Sequence, residues 1–318
     1  MAPDVLIVSL GTTTGLRTAD AALEGSLQRA GATTALSRIT LPSRLPPTLP
    51  AQDFVLARAA RRAVSDARAV VYSSTTAALL WPRRGAIRFD ALSAANRPGR
   101  HGIWQRWVEH RRMESASLLL PWSDGALNEG DPVSTPSLVV PVPVAPGGGS
   151  ATRDLAAITY GTNPAKKGLD RVLGAWALAR REGETLLVLG GPRVDAPGVR
   201  WQPLASAPQW RELLRRASVY VTAPRREDYG LAQLDALSEG CQLVTTAAPG
   251  PYAALPLARS LDARLVGEDL ARALRIALDN PSPGYADRAA EALRPWRPEA
   301  VDELVAQRLV PALLGEVT

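Results

Sequence analysis

Two acids eight positions apart, Glu227 and Asp235, flank the run Tyr229-Gly230-Leu231, and the chain's clearest chemical potential lies there. Glu227, just ahead of a helix start, could accept hydrogen bonds from hydroxyl groups. Asp235 could take a second pair of hydroxyls further along a ligand. Free amides around Tyr229, Gly230 and Leu231 would point at an anion, whose charge the helix dipole favours. An anion between two hydroxyl-bearing ends describes a nucleotide sugar. The plainer reading is that Glu227 and Asp228 merely favour a helix N-terminus and that Asp235 is solvated; spacing alone leaves both open. A second stretch, Tyr160 to Leu169, holds Lys166-Lys167-Gly168 before a helix. It could set an ammonium against a phosphate, or it could be a solvated lysine pair capping a loop.

The elements that must position these groups follow from pattern. Ala217 to Thr222 is β-rich and ends at Pro224; Leu231, Leu234, Ala236 and Leu237 give a helix its apolar face; Gly240 stands where a C-cap glycine belongs. Gln242 to Thr246 is the next strand. A strand, loop, helix and strand in this order place a ligand outside a strand's carboxyl end. Leu155–Gly161, Thr185–Gly191 and Val199–Trp201 are expected as strands, and Leu169–Arg181 and Gln209–Ala217 as helices. Further helices are expected over Gly267–Leu278 and Ala286–Leu293, and one more from Pro298 to Leu314. In the N-terminal half, strands are predicted over Asp4–Leu10, Thr33–Ile39, Ala69–Ser74, Ala86–Asp90 and Ser117–Pro121, and Ser137–Val144 closes the half. Helices are predicted over Thr18–Arg29 and Phe54–Ala67. The loop Gly11-Thr12-Thr13-Thr14-Gly15 lacks G-x-G-x-x-G, so no dinucleotide fingerprint is present. Pro146-Gly147-Gly148-Gly149-Ser150 reads as the linker between two α/β halves.

With its flanks, Glu227-x7-Asp235 resembles the E-x7-E signature of retaining GT-B glycosyltransferases, the family 4 group in particular, with the second acid one methylene shorter. The resemblance runs best from Ile158 to Gly250. It implies an α/β chain of two Rossmann-like domains facing across a cleft. An acceptor-binding domain would cover residues 1–147 and a nucleotide-sugar domain residues 148–297, with a C-terminal helix over 298–318 crossing back to the first. Lys167 matches the lysine that neutralises the leaving diphosphate in that family. The family's upstream arginine falls near Gly161, which cannot replace it, leaving Lys166 or Arg225 as substitutes. By position in such a fold, Gly11 and Gly15 would face the diphosphate, while Gly190, Gly191 and the loop from Trp201 to Leu204 would meet base and ribose. The family's acceptor-side histidine is missing after Ile87-Arg88-Phe89, where Asp90 is the nearest polar group and becomes the expected acceptor contact or base. Donor binding is thus expected from Gly11, Gly15, Lys166, Lys167, Gly190, Trp201, Glu227, Tyr229, Gly230, Leu231 and Asp235, and catalysis from Asp90, Glu227 and Lys167. No metal and no cofactor beyond the nucleotide-sugar substrate is expected, and the acceptor would be a glycan or a lipid-linked group. Two rivals remain: a non-catalytic relative acting as a binding or scaffolding subunit, favoured by the departures at Asp235, Gly161 and Asp90, and a nucleotide-sugar epimerase.

Composition bounds these readings. At 318 residues, 46% hydrophobic and 21% charged, the chain is long enough for two globular domains at roughly 100–200 residues each. No apolar run approaches the roughly 20 residues of a membrane span, and the start Met1-Ala2-Pro3-Asp4 lacks a signal peptide's basic residues. A cytoplasmic protein is expected. The single cysteine, Cys241, excludes an intrachain disulfide and is expected to be a small buried residue. The net charge of +6 concentrates between Arg83 and Arg112, where eight arginines meet only Asp90 and Glu109. That block is either a solvated surface or an attractor of anions, in particular an anionic membrane surface at the inner membrane face. Nucleic acid is not expected as a partner, because aromatic stacking positions are not interleaved. His101 and His110 read as loop and surface helix residues, and Glu239 as a solvated helix end.

Overall fold

The computed structural model describes residues 2–40, 46–148 and 152–315. It divides into two compact units, Met1–Pro143 with Pro298–Thr318, and Val144–Arg297. The first unit ends at Pro143 and not at residue 147, because the next residues bond into the second. Ser238 donates to the carbonyl of Ala145 and Arg211 to that of Pro146. Of the expected linker, Gly149 and Ser150 lie outside the described residues, as do residues 41–45 of the proline-rich loop.

The first unit begins with β1 (Val5–Ser9), α1 (Thr14–Arg29), β2 (Thr34–Arg38), α2 (Leu49–Arg62), β3 (Ala69–Tyr72) and α3 (Thr75–Ala78). It continues through β4 (Ala86–Phe89), α4 (Ser93–Asn96), α5 (Ile103–Ser115), β5 (Leu119–Pro121) and α6 (Asp124–Leu127). Its five described strands pair in parallel in the order β2-β1-β3-β4-β5. Alternation along β1 builds both faces of the core. Val5 and Ile7 pack with Leu23 and Leu27 of α1, and Leu6 and Val8 with Leu56 and Ala60 of α2. Ser137–Val144 does not extend this sheet as a strand; Ser137 makes one isolated bridge to Leu119. Leu138 and Val140 still donate to the carbonyls of Leu119 and Pro121 in β5, at 2.9 and 3.0 Å.

The second unit runs β6 (Leu155–Tyr160), α7 (Pro164–Lys167), α8 (Leu169–Ala179), β7 (Leu186–Leu189), β8 (Val199–Gln202) and α9 (Ala207–Arg216). It proceeds through β9 (Ala217–Thr222), α10 (Leu231–Ser238), β10 (Gln242–Thr245), α11 (Ala254–Leu261), α12 (Leu270–Asp279) and α13 (Tyr285–Ala292). Its parallel sheet has the order β10-β9-β6-β7-β8. The chain therefore turns one way from β6 to β7 and β8, and the other way to β9 and β10. The switch falls between β6 and β9, where ligands of open α/β sheets bind beyond the strand ends.

The tail returns to the first unit as α14 (Pro298–Leu304), a π-helical turn over Val305–Leu309 and α15 (Val310–Leu314), not as one uninterrupted α-helix. Val301, Val305 and Leu309 are buried against Leu23 and Leu27, and Arg29 holds Asp302 by two contacts of 2.6 and 2.7 Å. The wider turn keeps Val305 and Leu309 facing the same core. Leu309→Ala should lower stability by about 2–5 kcal/mol in urea unfolding, whereas the exposed Gln307→Ala should leave the midpoint nearly unchanged.

Candidate functional site

The site begins with two loops that leave the switch point and bond to each other. After β9 the chain passes Ala223 and Pro224, and the Arg225 N–H donates to the carbonyl of Lys166 at 2.8 Å. Gly168, at φ +65°, sits so close to Ala223 that a Cβ would lie 1.9 Å from its carbonyl oxygen. This contact admits only glycine, and it draws the lysine pair after β6 onto the acids after β9.

Lys167 Nζ then lies 2.8 and 2.6 Å from the two carboxylate oxygens of Glu227. Glu227 is only 3% exposed. Gln233, on α10, donates to the same carboxylate at 2.8 Å. The Glu227 backbone is fixed from the far side: its N–H donates to Pro249 at 3.0 Å and its carbonyl accepts from Tyr252 at 3.3 Å. Gly250, at φ +111°, makes that approach possible, since a Cβ there would lie 2.2 Å from the Glu227 carbonyl oxygen. Lys166 and Arg226 both bind Asp228. The cluster therefore has three cations against two carboxylates, at the start of a helix whose first amides lack intrahelical partners.

Gly230, at φ +96°, is the N-cap of α10. The Tyr229 side chain points into the fold, where its hydroxyl accepts from Trp296 Nε1 at 2.9 Å. Asp235, partly exposed, accepts from Trp210 Nε1 at 3.1 Å. Burial of the carboxyl pushes its pKa up, opposed by the indole hydrogen bond and by Arg211. Trp210 itself stands edge-on between Tyr160 and Tyr220, with centroids 6.0 Å away in each case.

The glycines after β6 and β7 serve the backbone. A Cβ on Gly161 would meet the Gly190 oxygen at 2.7 Å, and one on Gly191 would meet the Gly161 oxygen at 2.1 Å. An arginine cannot stand at Gly161 in this packing. Arg225 does not supply the missing charge: it forms a bidentate pair with Asp170, at 2.8 and 2.7 Å, which holds that carboxyl down at about 2. Trp201 donates to the Gly190 carbonyl at 3.2 Å.

In the first unit, Gly11, at φ +57°, lies in the loop after β1 and its carbonyl accepts from Arg17. Gly15 lies inside α1, whose N-cap is Thr13, and not in the loop. Asp90 follows β4 directly. His101 is exposed in a short turn before α5, and His110, on α5, lies 3.4 Å from Glu114.

No protein-family model matches the sequence, and no curated protein matches it. Solved structures do resemble it along nearly its whole length. Anabaena HepE, in complex with UDP and glucose, superposes with a TM-score of 0.71 at 11% identity, covering 96% of this chain and 98% of that one. WaaG, a glycosyltransferase of lipopolysaccharide biosynthesis, gives 0.67 at 14% identity, covering 95% and 99%. Sucrose-phosphate synthase from Thermosynechococcus elongatus gives 0.65 at 16%, covering 96% and 98%. The fold is GT-B.

Within the GT-B frame, Gln233, Trp210, Gly250 and Tyr252 are the residues that sequence reasoning passed over. Gln233 offered one signal, a polar side chain on the face of α10 that also carries Leu234 and Leu237. Glu239 is corrected as well. It is buried, accepts from the Gly148 N–H at 3.0 Å and pairs with Arg211 at 2.5 Å, which ties the segment after Pro143 to the end of α10. Cys241 is buried; burial pushes its thiol up to about 12, and Sγ donates to the Leu214 carbonyl at 3.0 Å, so it is no nucleophile at neutral pH. Among the described residues, no cluster of three or more His, Cys, Asp or Glu could hold a metal.

Two outcomes test this geometry. Lys167→Met leaves the Glu227 carboxylate short of its cation, and a double-mutant cycle with Glu227→Gln should give a coupling of about 1–3 kcal/mol by urea unfolding. For Asp235 the raised pKa sets the sign. The folded state holds the proton more tightly than the unfolded chain, so this group costs stability as pH rises from the ordinary 3.8 through the raised value. Asp235→Asn should therefore gain on the wild type as pH rises through that window, and equal pH profiles would contradict the assignment.

Proposed function

We propose that the chain is a glycosyltransferase that moves a sugar from a nucleoside-diphosphate donor to a hydroxyl acceptor, with retention and without a metal ion. The supporting observation is the Lys167–Glu227–Gln233 cluster at the start of α10, on the β6/β9 switch point. In this reading the bond between the anomeric carbon and the diphosphate oxygen breaks, and negative charge grows on the diphosphate. Lys167 and the first amides of α10 receive that charge where it develops. Glu227 accepts hydrogen bonds from sugar hydroxyls, and the Asp235 oxygen not directed at Trp210 accepts from the ribose. The acceptor oxygen forms the new bond on the face the diphosphate leaves. Acceptor recognition belongs to the first unit, with Asp90 orienting the hydroxyl or taking its proton. Glycan and lipid-linked acceptors both fit this scheme.

A second reading is a nucleotide-binding subunit without catalysis. It is favoured by the commitment of Arg225 to Asp170 and by the glycine packing that bars an arginine from position 161. One experiment separates the two stages of this argument. UDP, GDP, ADP and dTDP are compared by thermal shift; UDP comes first because the similar HepE structure holds it. A diphosphate at 100 times its dissociation constant should stabilise the protein by about 2.7 kcal/mol. The shift should vanish in Lys167→Ala and shrink in Glu227→Ala. No stabilisation by any nucleotide overturns the donor site; stabilisation with neither transfer nor donor hydrolysis leaves the binding subunit.

A further inference from the structure

The arginine-rich segment divides once its side chains are placed. Arg88 is buried beside Asp20 and over the Trp122 ring. Arg83, Arg84 and Arg112 donate to backbone carbonyls of Ala67, Ala116 and Leu79, and Arg97 pairs with the buried Asp53. Much of the block is therefore tied to the first unit, although Arg83, Arg84, Arg100 and Arg111 stay exposed.

Exposed charge is set beside apolar side chains on the outward faces of α2 and α5. Along α5 the exposed stripe is Ile103, Trp107 and Arg111, spaced four apart, with exposed Arg100 one turn ahead. Along α2 it is Phe54, Arg58, Arg61 and Arg62. The two helices meet where Phe54 stands edge-on to Trp104, at 6.4 Å between centroids, and where Gln105 donates to Asp53. Ile103 is 56% exposed, Trp107 58% and Phe54 48%; with Leu49 they are four of the six large apolar side chains open to solvent among the described residues. The Arg111 guanidinium lies 4.4 Å from the centre of the Trp107 ring. On the same faces the exposed acid is Glu114, which pairs with His110.

We propose that α2 and α5 form a docking surface for an anionic lipid bilayer. Phe54, Ile103 and Trp107 enter the interfacial layer, while Arg58, Arg61, Arg62, Arg100 and Arg111 engage lipid phosphates. Indole rings and aliphatic tips gain by leaving water at the headgroup level, and long arginine stems keep the charge at the phosphates while their methylenes cover apolar surface. A second copy of the chain is a poor occupant, because a twofold contact would set this arginine cluster against itself. The inference rests on the first unit alone and does not depend on the donor site. Among the described residues no helix is long and apolar enough to cross a membrane, so association would be at the surface.

The test is co-sedimentation of the full chain with phosphatidylcholine vesicles, with and without phosphatidylglycerol, over a salt series. Binding should require the anionic lipid and weaken as salt rises. Ile103→Ser with Trp107→Ser should lower the vesicle affinity by roughly an order of magnitude. Arg58→Gln, Arg61→Gln and Arg62→Gln should each cost roughly fivefold. These side chains are exposed, so the thermal midpoint should stay that of the wild type, which shows that lost binding is not lost folding. No association with phosphatidylglycerol vesicles overturns the proposal. So does unchanged binding in the Ile103/Trp107 variant, or a dimer in solution that the same variant converts to monomer.

Discussion

A carboxylate as enclosed as that of Glu227 has to be met by a cation and by hydrogen-bond donors, and much of the second unit is arranged around this requirement. Lys167 and Gln233 meet it from opposite sides, one from the loop after β6 and one from α10. Neither could arrive without the backbone contacts beneath them. The Arg225–Lys166 hydrogen bond and the glycine at 168 lock the two loops together, and Gly250 lets the chain after β10 press on the Glu227 carbonyl. The cost of burying one charge is thus offset by three segments that are distant in sequence and adjacent because the strand order switches sides at β6.

Much of this was legible from the sequence. Strand–loop–helix units were readable from apolar runs and glycines, spacing drew attention to the acids and the lysine pair, and the family resemblance singled out Lys167. What spacing could not give was the partner of each charge. Lys166 and Lys167 are neighbours in sequence yet serve different acids, Asp228 and Glu227. Arg225 looked available for a phosphate, but Asp170, at the start of α8, takes both ends of its guanidinium. Glu239 looked solvated because it ends a helix; the buried contacts from Gly148 and Arg211 come from segments that no local pattern connects to it. The stretch Ser137–Val144 keeps two hydrogen bonds to β5, from Leu138 and Val140, yet makes only one isolated bridge and no strand.

The first unit shows the same limit in its arginines. Counting charges between residues 83 and 112 finds a basic block, yet a guanidinium has five donors and can satisfy carbonyls in the interior as well as anions outside. Arg83, Arg84 and Arg112 each donate to a backbone carbonyl, although Arg83 and Arg84 stay exposed. The cations left facing solvent come partly from α2, which lies outside the block and whose contribution appears only when its exposed stripe is set beside that of α5.

Asp235 and Trp210 are best regarded as a pair. The aspartate is one methylene shorter than the glutamate of the pattern it resembles, and the indole N–H that it accepts from lies at an ordinary hydrogen-bond distance. Trp210 is braced by Tyr160 and Tyr220, so it cannot easily retreat to admit a longer acid. A glutamate would carry its carboxylate past the indole and lose the bond, or displace the ring and open the packing around it. The shorter acid keeps one oxygen committed to the protein and leaves the other for a ligand. In the proposed reading, that halves what Asp235 can offer a ribose while fixing more firmly where the offer is made.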